Sequence, residues 1–125
     1  MTLQSSVPVA YVYVTDRDRA LAFYREQLGL PLKSSDDQGD FFEIGNGLLR
    51  MTPAGDFQPG PHPVLGFEVA DIETNVASLS DRGVAFTQLG GEKEAPAYIW
   101  SSPDASIKVA FFTDPDGNAL TLSQT

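Results

Sequence analysis

The chain has 125 residues, a formal net charge of −9 and no cysteine, and 42% of its residues are hydrophobic. This length suits one domain, and the composition excludes disordered, collagenous and fibrous proteins. Nucleic acid is not expected as a partner, because acidic residues outnumber basic ones and no basic cluster offers a phosphate-binding surface. Without cysteine there are no disulfides or thiolate metal sites, and no apolar run is long enough for a signal peptide or membrane span. We therefore expect a soluble cytoplasmic protein without a membrane partner.

The first half of the chain has the pattern of one strand, one helix and three further strands. Residues 8–14 are strand-like, and a helix is expected after Asp16 from apolar residues at helical spacing, with Gly29 after its end. Three short strand-like segments follow, separated by turn residues: 32–34, 41–44 and 48–52. This half therefore predicts a βαβββ module.

The second half repeats this order. Residues 63–71 resemble residues 8–16, and both segments end in Val-x-Asp. Asp71 is a good N-cap for a second helix, after which three strands are expected at 85–89, 107–112 and 119–122. The sequence predicts an α+β fold of two βαβββ modules within one domain, 1–125. Its predicted parts are module one at about 7–52, a linker at 53–62 and module two at about 63–123.

The first strand has two apolar faces, and a helix can cover only one of them. One face carries Ala10, Val12 and Val14, and the other carries Val9, Tyr11 and Tyr13. We expect the tyrosine face to line a concavity, although packing of both tyrosines in the core is the alternative.

The matching face of the second module carries Val64, Gly66 and Glu68. A carboxylate on a partly enclosed surface is costly unless it is paired, which makes Glu68 the first functional candidate. The alternative is that the end of the strand turns Glu68 into solvent.

Two stretches of the chain carry a family resemblance. Val14-Thr15-Asp16 followed by residues 20–30, and later residues 112–118, Phe-Thr-Asp-Pro-Asp-Gly-Asn, resemble the two signatures of the vicinal oxygen chelate superfamily. This superfamily contains glyoxalases, bleomycin resistance proteins and extradiol dioxygenases. The resemblance covers nearly the whole chain and implies paired modules that form a curved mixed sheet around a cleft. It also implies a homodimer, with the cleft either within one chain or between two.

The resemblance also implies where a metal ion would bind. Metal-using members carry a histidine in the first strand of a module and a glutamate in the last strand. Here these positions hold side chains that cannot replace an imidazole or a carboxylate: Val9, Val64, Thr121 and, near Leu49, an apolar or basic residue. We therefore expect no metal and no other cofactor.

The single histidine, His62, lies two residues before an expected ligand position and between two prolines. It is either a displaced ligand or an ordinary loop histidine. With one imidazole, a metal ion would depend on carboxylates such as Glu43 and Glu68. No Ser-His-Asp set is indicated, because the histidine has no identifiable nucleophile or orienting partner.

The remaining functional feature is a surface rich in aromatic side chains, which offer large contact areas with few rotors and attract cations. The leading hypothesis is a metal-free protein that sequesters an aromatic or cationic small molecule in its cleft, as bleomycin resistance proteins do, and that is not an enzyme. Phe41 and Met51 are possible neighbours in this cleft, and Glu43 or Glu68 could supply charge. The residues expected to bind the ligand are Tyr11, Tyr13, Arg50, Met51, Glu68, Tyr98, Trp100 and Thr121.

Two enzymatic alternatives stand beside this hypothesis. One is a metal-dependent lyase or dioxygenase with a rearranged site that uses His62 and Glu68. The other is a metal-independent isomerase or cyclase, in which burial raises the pKa of Glu68 so that it acts as a base. Trp100 lies in a segment without a clear strand period and is alternatively a lid, a dimer contact or a packing residue.

Overall fold

The structure is a computed structural model that describes residues 2–87 and 98–125. The chain divides into two compact units, unit 1 at Met1–Gln58 and unit 2 at Pro59–Thr125. Each unit contains one four-stranded mixed sheet. The α+β architecture of two modules that the sequence predicts is therefore confirmed.

Unit 1 has the sheet order β1-β4-β3-β2, in which β1 is parallel to β4 and the other pairs are antiparallel. Its elements in chain order are a 3₁₀ turn (Leu3–Ser5), β1 (Val9–Val14), α1 (Arg17–Leu21), a π-helical continuation (Ala22–Gln27), β2 (Leu32–Asp36), β3 (Gly39–Ile44) and β4 (Gly47–Pro53).

The helix of unit 1 begins after Asp16, whose carboxylate accepts a 3.1 Å hydrogen bond from the backbone N–H of Arg19. This bond satisfies one of the N–H groups that the first helical turn leaves without a partner. The helix then widens, and the N–H of Leu28 donates to the carbonyl of Phe23 at 2.9 Å, five residues earlier. Gly29 follows with φ +74°, a conformation that glycine adopts without steric cost. The sequence places this helix and its terminal glycine correctly.

The core of unit 1 lies between the helix and one face of the sheet. Val12 and Val14 are buried, and the ring of Tyr24 lies 6.1 Å from the ring of Phe42 on β3. Because side chains alternate along a strand, Tyr11 and Tyr13 lie on the opposite face and are 61% and 47% exposed. The alternative that packs both tyrosines in the core is therefore wrong for unit 1.

Unit 2 has the sheet order β5-β8-β7-β6, with β5 parallel to β8. The carboxylate of Asp71 caps α2 by accepting from the N–H of Thr74 at 3.1 Å, as the sequence predicts. No helix within 2–87 and 98–125 has the length and apolar character needed to cross a membrane. The elements of unit 2 are β5 (Pro63–Glu68), α2 (Ile72–Asp81), β6 (Ile99–Ser101), β7 (Lys108–Thr113) and β8 (Ala119–Gln124).

One predicted strand of unit 2 is described only in part. Of the predicted strand at 85–89, Phe86 forms an isolated antiparallel bridge with Phe112, and the backbone N–H of Thr87 donates to the carbonyl of Phe111 at 2.7 Å, whereas residues 88–89 lie outside the described residues. A further strand beside β7, Ile99–Ser101, has no alternating pattern, and the sequence does not predict it. This strand is three residues long. It is defined by its pairing with β7 and has no apolar face of its own.

Candidate functional site

Unit 1 turns one face of its sheet toward solvent, and we call the residues of this face open face 1. In register, Tyr11 on β1 lies opposite Arg50 on β4, and Arg50 lies opposite Phe41 on β3. These three side chains therefore form one row across three adjacent strands, about 4.8 Å apart. The members of open face 1 are Val9, Tyr11, Tyr13, Phe41, Glu43, Leu48 and Arg50.

Arg50 is held in place within this row. Its guanidinium carbon lies 4.4 Å from the centre of the Phe41 ring, within cation–π range. Its two terminal nitrogens donate to the Asp36 carboxylate at 3.1 and 3.4 Å. The hydrogen bond from Arg50, with a second from the backbone N–H of Gln38, lowers the pKa of Asp36. The cation at the centre of the row is thus fixed between a ring and an exposed carboxylate.

A second aromatic pair adjoins this row. The ring of Tyr13 lies 5.8 Å from the ring of Phe57, with a tilt of 40°. Aromatic pairs at this separation are favourable beyond their buried area. Phe57 follows β4 within the segment predicted as a linker, where no periodic pattern points to it. Open face 1 therefore carries more aromatic surface than the strand patterns alone predict.

Met51 is a correction to the expected set of ligand-binding residues. It is 0% exposed and lies opposite Val12 and Asp40, on the buried face of the sheet. Neighbouring residues of a strand point to opposite faces, so Arg50 and Met51 cannot both meet one ligand on open face 1. Met51 is a core residue, and we leave it out of the candidate site.

Unit 2 also has a solvent-facing sheet surface, which we call open face 2. One row runs from Gly66 through Thr121 to Phe111, and the next runs from Glu68 through Ser123 and Val109 to Trp100. Trp100 is 50% exposed, but it is three strands from Glu68, roughly 14 Å at the usual strand spacing. One small ring cannot contact both residues of this row.

Tyr98 lies near the edge strand of unit 2 and is half-buried. Its ring lies 6.2 Å from Phe86, which in turn lies 5.2 Å from the buried ring of Phe112. These contacts join Tyr98 to the packing of unit 2. They do not bring it to the row that contains Trp100.

The surroundings of Glu68 overturn its expected role as a buried base. Its carboxylate is exposed and accepts from the hydroxyl of Ser123 at 2.7 Å and from the N–H and hydroxyl of Thr125, both at 2.8 Å. These hydrogen bonds lower the pKa of Glu68, and the bond from Ser123 has the largest effect. The predicted burial-raised pKa is therefore wrong, and Glu68 joins β5 to the end of β8.

His62 and Glu68 lie at opposite ends of β5 and cannot share a metal ion. They are six positions apart along extended chain, roughly 20 Å at about 3.3 Å per residue. Imidazole and carboxylate atoms bind a transition metal at about 2.0–2.2 Å, so two ligands of one ion lie close together. The rearranged site of the metal-dependent alternative does not exist in this unit.

The expected metal-ligand positions do not fit a metal ion either. Val9 and Val64 are exposed on the open faces, and Leu49 is buried on the opposite face of its sheet. Thr121 lies opposite Gly66, whose counterpart in the internal repeat is Tyr11, so the residue of unit 1 that corresponds to Thr121 is Arg50. No group of three or more histidine, aspartate or glutamate residues within 2–87 and 98–125 could hold a metal ion.

An ion pair between half-buried Arg17 and buried Asp40 lies on the helix side of the sheet in unit 1. Asp40 is 1% exposed and lies opposite Met51, and its carboxylate accepts from Nε of Arg17 at 3.0 Å and from the hydroxyl of Ser35 at 2.6 Å. Arg17 also donates to the carbonyl of Gly39 at 3.0 Å. Since Arg17 begins α1, this pair ties the helix to the turn between β2 and β3.

The family of the chain follows from a comparison with known proteins. A model of the Glyoxalase/Bleomycin resistance protein/Dioxygenase superfamily matches residues 6–122. The chain belongs to this superfamily. The family assignment agrees with the resemblance of the two signature segments, which the sequence indicates.

Individual proteins are similar to this chain at low identity. The protein YurT of Bacillus subtilis (strain 168), itself uncharacterised, is 27% identical, with 94% of this chain and 98% of YurT covered. A glyoxalase family protein of Enterococcus faecalis is 19% identical at a TM-score of 0.77, with 98% and 99% covered. FosX of Listeria monocytogenes, a genomically encoded fosfomycin resistance protein, is 14% identical at a TM-score of 0.73, with 97% and 93% covered. At these identities the solved structures show the fold alone.

Proposed function

We propose that this superfamily member binds a small aromatic compound on open face 1 without a metal ion, and that it holds the compound rather than converting it. The observation that carries the proposal is the row of Tyr11, Arg50 and Phe41. Two aromatic rings flank a fixed guanidinium on an exposed sheet face. Arg50, the middle residue of the row, stands at the position where the resemblance implies a metal ligand in metal-using members.

The aromatic class of ligand is the one that open face 1 favours. Tyr11 and Tyr13 offer exposed rings, and the Tyr13–Phe57 pair extends the same surface. Ring-on-ring contact provides specific geometry as well as buried area. A cationic ligand has less support, because Arg50 carries a positive charge at the centre of the row and the carboxylate of Glu68 already accepts three hydrogen bonds.

The enzymatic alternatives have no comparable support in the described residues. A general base needs a pKa near the working pH, and the hydrogen bonds to Glu68 move its pKa in the other direction. A metal-dependent reaction needs convergent ligands, and His62 lies at the far end of β5 from Glu68. Sequestration of a compound requires neither group.

The test is a titration of the metal-stripped protein with one-ring and two-ring aromatic compounds. Calorimetry or ligand-observed NMR measures the affinity. For two-ring compounds, which are long enough to span the two strand spacings of roughly 10 Å from Phe41 to Tyr11, Tyr11→Ala should weaken binding by about 1–3 kcal/mol, as expected for an aromatic anchor. Ile107→Ala, which also shortens an exposed apolar side chain, is the control and should leave the affinity unchanged. Equal affinities of wild type and Tyr11→Ala, or binding that appears only after a metal ion is added, would overturn the proposal.

We also propose that the protein is a cytoplasmic homodimer. The support is the family resemblance and a sequence without cysteine, which suits a reducing compartment. Light scattering at several protein concentrations measures the mass in solution. A monomer at every concentration would contradict the homodimer.

A further inference from the structure

A β-bulge places Lys33 at the edge of open face 1. Leu32 lies opposite Phe42 and Ser34 lies opposite Phe41, so Lys33 is an extra residue between two paired positions. A bulge bends its strand and redirects the side chain that it carries, and bulges are frequent next to functional sites. Lys33 is exposed at this bend.

Two shallow cavities meet at this bulge. One has a volume of about 270 Å³ and is lined by Lys33, Glu43, Leu48 and the turn at residues 45–47. The other has a volume of about 250 Å³ and is lined by Lys33, Ser34, Phe41 and Leu48. Lys33 and Leu48 line both cavities, and we call the two cavities together the Lys33 groove. Phe41 connects this groove to the row that contains Arg50.

The side chains of the Lys33 groove combine an apolar floor with one available cation. Phe41 and Leu48 are half-buried and offer apolar surface. Lys33 takes part in no ion pair or side-chain hydrogen bond with the residues that the structure describes. Arg50 differs, because its terminal nitrogens already bind Asp36. An ammonium group beside an apolar floor suits a ligand with a ring and a single anionic group.

Glu43 limits the charge that the groove accepts. Its exposed side chain lines the larger cavity together with Lys33. A ligand with a second negative charge would bring that charge near the carboxylate of Glu43, and like charges at close range repel. A monoanion avoids this cost. The groove also favours small compounds, because each cavity lies just below the roughly 300 Å³ at which ligand pockets usually begin.

We propose that the Lys33 groove binds small aromatic monocarboxylic acids, with the carboxylate on the Lys33 ammonium and the ring on Phe41 and Leu48. This inference rests on the proposed function, since it names the chemical class and the orientation of the aromatic compound. The hydroxyl of Ser34, which lines the smaller cavity, is a further donor for the carboxylate.

The test compares three probes that share one ring: benzoate, its neutral amide and the corresponding ortho-dicarboxylate. Binding of each to the full chain is measured by ligand-observed NMR at low salt, where charge contacts are least screened. Wild type should bind benzoate about tenfold more tightly than the other two probes, the size expected for one charge-assisted contact. Lys33→Met should lose this preference and bind benzoate and the neutral amide with equal affinity.

Lys108→Met is the matched control. It removes the same charge from unit 2, where Lys108 pairs with Glu73 at 2.8 Å, and it should bind benzoate as wild type does. Equal loss in Lys33→Met and Lys108→Met would mean that net charge controls binding, and the inference would be wrong. Equal binding of benzoate and the amide by wild type would overturn the inference but leave aromatic binding standing. Absence of binding by every aromatic compound would overturn both proposals.

Discussion

Arg50 and Thr121 occupy the same register position in the two sheets of the chain. Arg50 lies opposite Tyr11 in a parallel pair, and Thr121 lies opposite Gly66 in the corresponding pair of unit 2. Family members that use a metal carry a carboxylate at the position of Thr121, as the resemblance implies. A guanidinium has no lone pair to donate to a metal ion, and a neutral hydroxyl is a poor substitute for a carboxylate.

This relationship corrects the position that spacing alone suggests for unit 1. Counting along the sequence points near Leu49, which is 0% exposed on the helix side of the sheet. The register moves the corresponding position by one residue to Arg50 and therefore to the other face. Arg50 in unit 1 and Thr121 in unit 2 therefore lie on the open faces of their sheets. Neither supplies a carboxylate to a metal ion at this position.

Asp40→Ala should lower the free energy of unfolding of the protein by about 2–3 kcal/mol, since it removes charge-assisted hydrogen bonds from a buried position. The carboxylate of Asp40 is the shared acceptor for Arg17 and Ser35. The measurement is urea denaturation followed by far-UV circular dichroism. Asp37→Ala changes an exposed aspartate of the adjacent turn between β2 and β3 and should shift stability by no more than about 0.5 kcal/mol. Equal effects of the two variants would contradict a structural role for Asp40.

Glu68→Gln should make stability less dependent on pH in acid. The hydrogen bonds from Ser123 and Thr125 lower the pKa of Glu68 from its ordinary value of 4.5. A carboxylate with a lowered pKa stabilises the folded chain above its ordinary pKa, and this contribution is lost as pH falls through the lower value. Wild type should therefore exceed Glu68→Gln in stability at neutral pH, and the difference should shrink as the pH falls below 4.5.

The control for this titration is Glu26→Gln. The carboxylate of Glu26 is exposed and accepts no hydrogen bond from the residues that the structure describes, so its variant should follow the wild-type curve. A constant difference between wild type and Glu68→Gln at every pH would show that the hydrogen bonds of Glu68 do not depend on its charge.

Ala105→Gly should stabilise the protein. Ala105 has φ +60°, a left-handed conformation that is strained for a residue with a Cβ atom. Its backbone N–H donates to the carbonyl of Ser102 at 2.8 Å, which holds the turn in this conformation. Relief of the strain exceeds the added entropy of the unfolded chain, so we expect a gain of about 0.5–1 kcal/mol by thermal or urea unfolding. A loss of stability would mean that the turn is not strained.

The sequence predicts most of the fold because its local signals agree with the tertiary structure. Asp71 caps α2, Gly29 ends the helix of unit 1 in a left-handed conformation, and the alternation along β1 exposes the two tyrosines. Strand β6 of unit 2 has no such signal. Ile99–Ser101 is too short for a period and becomes a strand only through its pairing with β7.

The candidate site is less accessible to sequence reasoning because it depends on register. Spacing cannot show that Arg50 aligns with Tyr11, or that Lys33 is the unpaired residue of a bulge. It also cannot separate Arg50 from Met51, which are neighbours in sequence but lie on opposite faces of the sheet. Phe57 reaches the ring of Tyr13 from a segment that has turn-like composition.

The measurement that tests the central claim most directly is the metal content per chain of untagged protein. The protein is purified without chelator, offered Zn²⁺, Ni²⁺, Mn²⁺ and Fe²⁺ in turn, dialysed extensively and analysed by atomic emission. Val9, Val64, Arg50 and Thr121 provide neither imidazole nor carboxylate, so we predict well below one ion per chain for every metal, with aromatic binding intact in chelator. Nearly one ion of a transition metal per chain, with binding lost in chelator, would contradict the account.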